Sequence, residues 1–152
     1  FYFAGEGSSL YPGQPQWNKH TSIKVQTKTL STLVKEQDID MNNFDFLNID
    51  AEGAELDILK GFEDNLKYIN VIDMETSVDD RHLSGADHNT IVEWLGARGF
   101  KLREMSSSYR NEGWGDSVFA RVDRELPPFV DGNVGNDVYG EKYLELNSSW
   151  GK

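Results

Sequence analysis

The feature that most constrains the fold is residues 44–61, with the sequence FDFLNIDAEGAELDILKG. An apolar run predicts a strand that ends in Asp50 and Glu52, Gly53 predicts a turn, and an amphipathic helix follows at once. Open α/β sheets bind their ligands beyond the carboxyl ends of their strands. The pattern therefore favours an α/β fold and makes Asp50 and Glu52 candidate site residues.

A second apolar segment, residues 70–75 (NVIDME), also ends in carboxylates, at Asp73 and Glu75. If the two strands are parallel neighbours, these acids converge at one sheet edge with Asp50 and Glu52. A positioned carboxylate can accept the proton of a reacting hydroxyl, and a divalent ion can lower the pKa of that hydroxyl. We therefore interpret Asp50, Glu52 and Glu75 as candidate catalytic residues.

Two alternatives remain open for these acids. Glu52 and Glu55 can instead stabilise the positive amino end of the following helix. The alternation of Asp73 with its apolar neighbours is also compatible with a side chain that faces solvent. Asp50 is the strongest functional candidate, because a carboxylate that ends a buried strand is costly without a role.

The rest of the chain predicts further helices and strands. Thr29 and Asp87 are candidate caps for helices that run to about residues 37 and 98, and the helix after Gly53 is predicted to span 54–67. Short strands are predicted at 1–4 and 22–25, and a closing antiparallel hairpin at 100–105 and 116–122. This order indicates a partial Rossmann-like α/β sheet, with parallel strands followed by an antiparallel hairpin. We assign residues 1–126 to this domain and 127–152 to a tail or cap.

Composition excludes several classes of protein. The net charge of −11 argues against nucleic-acid binding, because phosphate recognition needs clustered Lys and Arg. The absence of cysteine excludes disulfides, a thiol nucleophile and a cysteine metal site. No apolar run reaches the roughly 18 residues of a membrane span, and no signal peptide is evident. We expect a cytoplasmic protein with neither nucleic acid nor membrane as a partner.

The three histidines, His20, His82 and His88, each stand alone in a polar segment. An isolated histidine can act as a base near neutral pH. Nothing in the sequence brings a partner to any of them. We therefore interpret all three as surface histidines rather than catalytic ones.

Residues 45–55, DFLNIDAEGAE, resemble the signature of FkbM-type methyltransferases, which runs aspartate, apolar, leucine, lysine, isoleucine, aspartate, any residue, glutamate, glycine, alanine, glutamate. Asn48 stands where that signature has lysine. Ser8 and Ser9 resemble the family's serine-serine-leucine stretch, and residues 72–75 and 99–100 resemble its later strands. The resemblance covers roughly residues 1–123 in order along the chain.

The resemblance implies a class I methyltransferase fold and the transfer of a methyl group from S-adenosylmethionine to a hydroxyl of a sugar or small metabolite. It implies cofactor contacts from Ser8, Ser9 and Asp50, and catalytic roles for Asp50, Glu52 and Glu75. No metal ligand is assigned.

The matched region corresponds to the C-terminal half of the family's domain, and the family's cofactor-binding elements do not precede Phe1. We therefore expect isothermal titration to show weak or no S-adenosylmethionine binding by this chain alone. Residues 129–135, FVDGNVG, are a distorted echo of the family's cofactor signature, and circular permutation is a weaker alternative.

A second hypothesis is a non-catalytic module derived from a methyltransferase. In a complete sheet of this kind, strand 44–49 pairs on both sides, and here one neighbour is not in the sequence. An open strand edge favours pairing with another chain. We expect a second copy, a companion chain, or the chain's own residues 1–4 or 127–146 to cover that edge.

Overall fold

A computed structural model of the chain describes residues 1–3, 7–12, 21–78, 85–106 and 113–124. The chain separates into two units, Phe1–Val122 and Asp123–Lys152, and the elements below belong to the first. His20, His82, the echo at 129–135 and the predicted tail at 127–152 lie outside the described residues. The boundary predicted at residue 126 stays a prediction.

The described part of the chain contains four strands, β1 Phe46–Ile49, β2 Val71–Ser77, β3 Phe100–Met105 and β4 Trp114–Arg121. They form one mixed sheet in the order β1-β2-β4-β3. The strands β1 and β2 are parallel, whereas β4 is antiparallel to both β2 and β3. The predicted fold class, a partial Rossmann-like sheet with a closing antiparallel hairpin, is therefore confirmed. The helices are α1 Leu30–Glu36, α2 Glu55–Gly61 and α3 His88–Gly96, with 3₁₀ helices at Met41–Asn43 and Glu63–Tyr68.

Both predicted helix caps are present. The Thr29 hydroxyl accepts a hydrogen bond from the Thr32 amide at 3.1 Å, and the Asp87 carboxylate accepts one from the Thr90 amide at 2.7 Å. Each side chain satisfies a backbone donor that the first turn of a helix leaves without an intrahelical partner. The starts of α1 and α3 are therefore set by local chemistry.

The prediction of a single helix over 54–67 was wrong, because α2 ends at Gly61 and a 3₁₀ helix follows. A side chain at Gly61 would be crowded, since an added Cβ would lie 3.1 Å from the Cβ of Thr29. A side chain at this position would push against Thr29, the cap of α1, and glycine is the poorest ordinary helix former apart from proline. The apolar stripe nevertheless continues, because Phe62 and Leu66 beyond the break are buried.

One hydrophobic core lies between the helices and one face of the sheet. Alternate residues of β1 and β2 pair in register, Leu47 with Ile72 and Ile49 with Met74, and contribute to this core. The side chains between them, including Asn48 and Asp73, point to the opposite face. The core residues from the helices are Leu56, Leu59, Phe62, Leu66, Ile91 and Leu95.

The strands predicted at 1–4 and 22–25 appear only as isolated bridges, in which Tyr2 pairs with both Ser9 and Ser22. The described backbone hydrogen bonds of residues 1–3 run to Ser9, Thr21 and Ile23. We call these paired segments, residues 1–3, 9 and 21–23, the N-terminal ribbon. Among the described residues, no helix has the length and apolar character that crossing a lipid bilayer requires.

Candidate functional site

The structure brings together the three acids that the sequence singled out. Asp50 directly follows β1, and Glu75 follows the β2 residue that pairs with the last residue of β1. Glu52 lies in the turn after β1. One carboxylate oxygen from each of the three lies within 4.8 Å of those of the other two. We call Asp50, Glu52 and Glu75 the carboxylate cluster.

The turn after β1 has an uncommon backbone. Glu52 has a φ of 52° and Gly53 a φ of 101°, both in the left-handed region. Non-glycine residues rarely adopt this conformation, because their Cβ approaches the carbonyl oxygen too closely. The turn reverses the chain between β1 and α2 and leaves Glu52 beside Asp50 and Glu75.

Glu55 fills the helix-end role that the sequence left open for two glutamates. Its carboxylate accepts hydrogen bonds from the backbone amides of Ala51 at 3.2 Å and Gly53 at 3.0 Å, and the residue is 4% exposed. A buried carboxylate is well compensated by two backbone donors at the positive end of a helix. Glu55 thus stabilises the turn, while the Glu52 carboxylate belongs to the cluster.

The N-terminal segment is fastened to the same turn. The buried hydroxyl of Ser9 donates to the Glu52 carbonyl oxygen at 2.5 Å and accepts from the Tyr11 amide at 3.0 Å. The Tyr11 hydroxyl donates to the Asp57 carboxylate, and this hydrogen bond raises the pKa of Tyr11 to about 12. Ser9 therefore stabilises the turn through its side chain. The predicted cofactor contacts of Ser8 and Ser9 stay predictions.

The cluster is strongly acidic, and its members change one another's ionisation. Burial and, after it, the negative charges of Glu52, Asp50, Glu55 and Asp116 together raise the pKa of the half-buried Glu75 to about 7. Burial also raises the pKa of Asp50, with smaller contributions from Glu52 and Asp116. Glu75 therefore exchanges its proton near neutral pH, where a general base is most effective.

Asp116 is a site residue that the sequence reasoning missed. It lies directly opposite Glu75 in the antiparallel pairing of β2 with β4. Like charges in directly opposite positions destabilise a sheet, so Asp116 disfavours the ionised form of Glu75. One feature could have predicted this position of Asp116. If β4 is antiparallel to β2, the amino end of β4 must lie beside the carboxyl end of β2.

A cation could also contact the cluster. Divalent ions such as Ca²⁺ and Mg²⁺ take roughly six or more oxygen ligands. Three carboxylates would supply at most half of such a shell if each contributed one oxygen. The geometry by itself therefore assigns no metal role.

Comparison with known proteins decides the family. The sequence profile described as "Methyltransferase FkbM domain" matches residues 1–102, well over half of the chain. The chain belongs to the FkbM methyltransferase family. Comparisons with curated proteins and with solved structures gave no match. The match includes the whole carboxylate cluster and Ser9, whereas Asp116 lies beyond it, and FkbM methyltransferases generally use S-adenosylmethionine.

At position 48 this FkbM domain has an amide where the family pattern has lysine. The Asn48 side chain donates to the Asp73 carboxylate at 3.5 Å, across the paired positions of β1 and β2. Asp73 is 3% exposed, so the alternative that it faces solvent was wrong. Alternation along a single strand does not reveal this burial.

The interpretation of His88 as a surface histidine was also wrong. His88 is the first residue of α3, is buried, and has its Nδ1 atom 3.1 Å from the Thr76 hydroxyl. That hydroxyl lies 2.7 Å from the hydroxyl of Ser117, which is also buried. Burial lowers the pKa of His88. These side chains form a polar link between α3, β2 and β4 inside the core.

Proposed function

We propose that this FkbM domain transfers a methyl group from S-adenosylmethionine to a hydroxyl of a sugar or small metabolite, with Glu75 accepting the hydroxyl proton. The observation that carries the proposal is the convergence of Asp50, Glu52 and Glu75 within 4.8 Å, in a domain of a methyltransferase family. The family match supports methyl transfer in general. The hydroxyl acceptor is what the resemblance implies, and the carboxylates offer a base for its proton.

Glu75 is the member of the cluster best suited to proton transfer. An alcohol is a weak nucleophile until its proton is removed, and a base with a pKa near the working pH does this most efficiently. Burial and neighbouring charges hold the pKa of Glu75 at about 7. Asp50 is more exposed and Glu52 is held in the turn, so we assign these two to orienting the acceptor and the cofactor.

The cluster also suits the charge of the cofactor. S-adenosylmethionine, when bound, carries a methyl group on a positively charged sulfur and supplies that methyl group to the acceptor oxygen as the carbon–sulfur bond breaks. Negative side chains favour a positive group placed near them. Asp50 and Glu52 would hold that positive group, while Glu75 retains the proton released by the acceptor.

The test is methyl transfer by the 152-residue chain, with glucose, inositol or glycerol as acceptors. Radiolabelled S-adenosylmethionine is supplied at millimolar concentration, because this chain alone is expected to bind it weakly. We expect the Glu75→Gln variant to lose roughly 100-fold or more in rate, because a general base typically contributes that much. Wild-type activity should rise with pH through about 7, as Glu75 loses its proton.

Asp64→Asn is the matched control, since Asp64 is exposed and removal of its charge should leave the rate unchanged. An unchanged rate in Glu75→Gln would overturn the assignment of the base. No transfer by wild type to any of these acceptors, at any pH between 6 and 9, would remove the catalytic proposal for this chain.

The second candidate function is a non-catalytic module that pairs with a second copy through β1. The observations in its favour are that β1 lies at the edge of the sheet formed by the described residues and that Phe44 and Phe46 are 51% and 48% exposed. Large apolar side chains on a sheet edge favour association with another chain. This candidate predicts self-association without methyl transfer.

A further inference from the structure

Ser9 lies where the N-terminal ribbon meets the turn of the carboxylate cluster. Its backbone exchanges two hydrogen bonds with the backbone of Tyr2, at 2.8 and 3.1 Å, and the residue is 3% exposed. The hydroxyl uses its one proton on the Glu52 carbonyl oxygen and accepts the Tyr11 amide hydrogen. The backbone of Ser9 is thus bonded to Tyr2, while its side chain is bonded to the turn after β1.

The residue that Ser9 holds is one whose backbone needs support. Glu52 has a φ of 52°, a conformation that costs a non-glycine residue about 1 kcal/mol or more. The peptide unit after Glu52 is planar, so a hydrogen bond to the Glu52 carbonyl oxygen fixes the orientation of that unit. It therefore restrains rotation about the Cα–C bond of Glu52. The direction in which the Glu52 side chain leaves the backbone is then restrained as well.

Repulsion within the cluster acts against this arrangement. The Glu52 charge is the first neighbouring charge, after burial, that raises the pKa of Glu75. Asp50, Glu55 and Asp116 add to the negative potential at the same point. Without a restraint, the Glu52 carboxylate would gain free energy by moving away from these charges toward solvent.

We propose that Ser9 is a positioning residue, which holds the Glu52 carboxylate against Glu75 through its hydrogen bond to the Glu52 carbonyl. The proposal rests on the proposed function only in treating the cluster as the active site. In this role Ser9 acts by placing the Glu52 carboxylate and does not itself contact substrate or cofactor.

The test measures the titration of Glu75 by ¹³C NMR of its side-chain carboxyl in the 152-residue chain. Glu52→Gln removes the neighbouring charge outright and sets the largest effect, which we expect to be a fall in the Glu75 midpoint of at least about half a pH unit. Ser9→Ala should lower the midpoint by a large part of that amount, because the freed Glu52 carboxylate moves away. An unchanged midpoint in Ser9→Ala would overturn the proposal.

Two controls separate the hydrogen bond from general loosening of the segment. Tyr11→Phe removes the hydrogen bond between Tyr11 and Asp57 of α2 but keeps the Ser9 hydroxyl. Ser9→Thr keeps the hydroxyl that bonds the Glu52 carbonyl oxygen and adds one methyl group. Both should titrate as wild type does. A fall in either one that equals the fall in Ser9→Ala would assign the effect to packing and contradict the proposal.

The readout uses neither cofactor nor acceptor, so its outcome is independent of the methyl-transfer assay. A lowered Glu75 midpoint in Ser9→Ala together with normal activity of Glu75→Gln would keep the positioning role and reject the proposed function. The opposite pair of results would keep the function and reject the role of Ser9.

Discussion

At Glu75 the proposed chemistry works against stability. Burial and four neighbouring acids raise its folded-state pKa from the ordinary value of 4.5 to about 7. Between these two values the folded state holds a proton that the unfolded state has released, so the free energy of unfolding falls as pH rises through this window. Above pH 7 the folded protein carries an ionised carboxylate in an unfavourable place.

We expect Glu75→Gln to be more stable than wild type at pH 8 by about 1–2 kcal/mol, a figure discounted for the partial exposure of this side chain. At pH 4.5, where folded wild type holds the proton, the two proteins should be nearly equal. Urea unfolding at both pH values measures the difference, and Asp64→Asn provides the control. A gain at pH 4.5 as large as that at pH 8 would show that charge is not the cause.

At the scale of an element, the start of α2 depends on Glu55 rather than on a conventional cap. Ala54, in the N-cap position, makes no side-chain hydrogen bond, while the Glu55 carboxylate accepts from two backbone amides of the turn. Glu55 is almost fully buried, so its loss would leave these donors without that acceptor. The turn, the helix and the position of Glu52 are therefore coupled through one side chain.

We expect Glu55→Ala to lower the free energy of unfolding by about 1–3 kcal/mol, the usual cost of leaving a buried polar group unsatisfied. Glu55→Gln keeps an acceptor oxygen and should cost less. Denaturant unfolding measures both, with Glu93→Ala on the exposed surface of α3 as the control. Equal losses in Glu55→Ala and Glu93→Ala would contradict this account of the turn.

At the scale of the whole molecule, charge and the β1 edge act in opposite directions. Each chain carries a net charge of −11, which opposes self-association. In the part of the chain that the structure describes, β1 lies at an edge of the sheet, and Phe46 in β1 and Phe44 just before it are exposed. Two β1 edges can pair antiparallel about a two-fold axis, because such a contact is complementary to itself. Salt weakens the repulsion between chains and leaves the apolar contact intact.

We therefore expect dimers that become stronger as NaCl is raised from 20 to 500 mM in sedimentation equilibrium, with roughly 1,000 Å² or more buried. Phe46→Glu should abolish them, and Val122→Glu, at an exposed apolar residue outside β1, should not. A monomer at every salt concentration, together with rapid amide exchange along residues 44–49, would reject β1 as an interface.

Most of the fold followed from signals that span only a few residues. The caps at Thr29 and Asp87, the apolar strands β1 and β2 and the closing hairpin each depend on neighbours along the chain, so periodicity and residue type predicted them. The carboxylates that end β1 and β2 could be placed together because the strands were predicted to be parallel neighbours. The sequence by itself therefore determined the fold class and the acids that meet at the sheet edge.

Only the tertiary structure decided what surrounds those acids. Asp116 faces Glu75 because of the register of β4, His88 and Asp73 are buried by elements distant in sequence, and Ser9 reaches Glu52 across 43 positions. Gly61, the last residue of α2, lies against Thr29, which is 32 positions earlier in the chain. Each of these features depends on the distance between residues far apart in the chain, and local propensity carries no information about that distance.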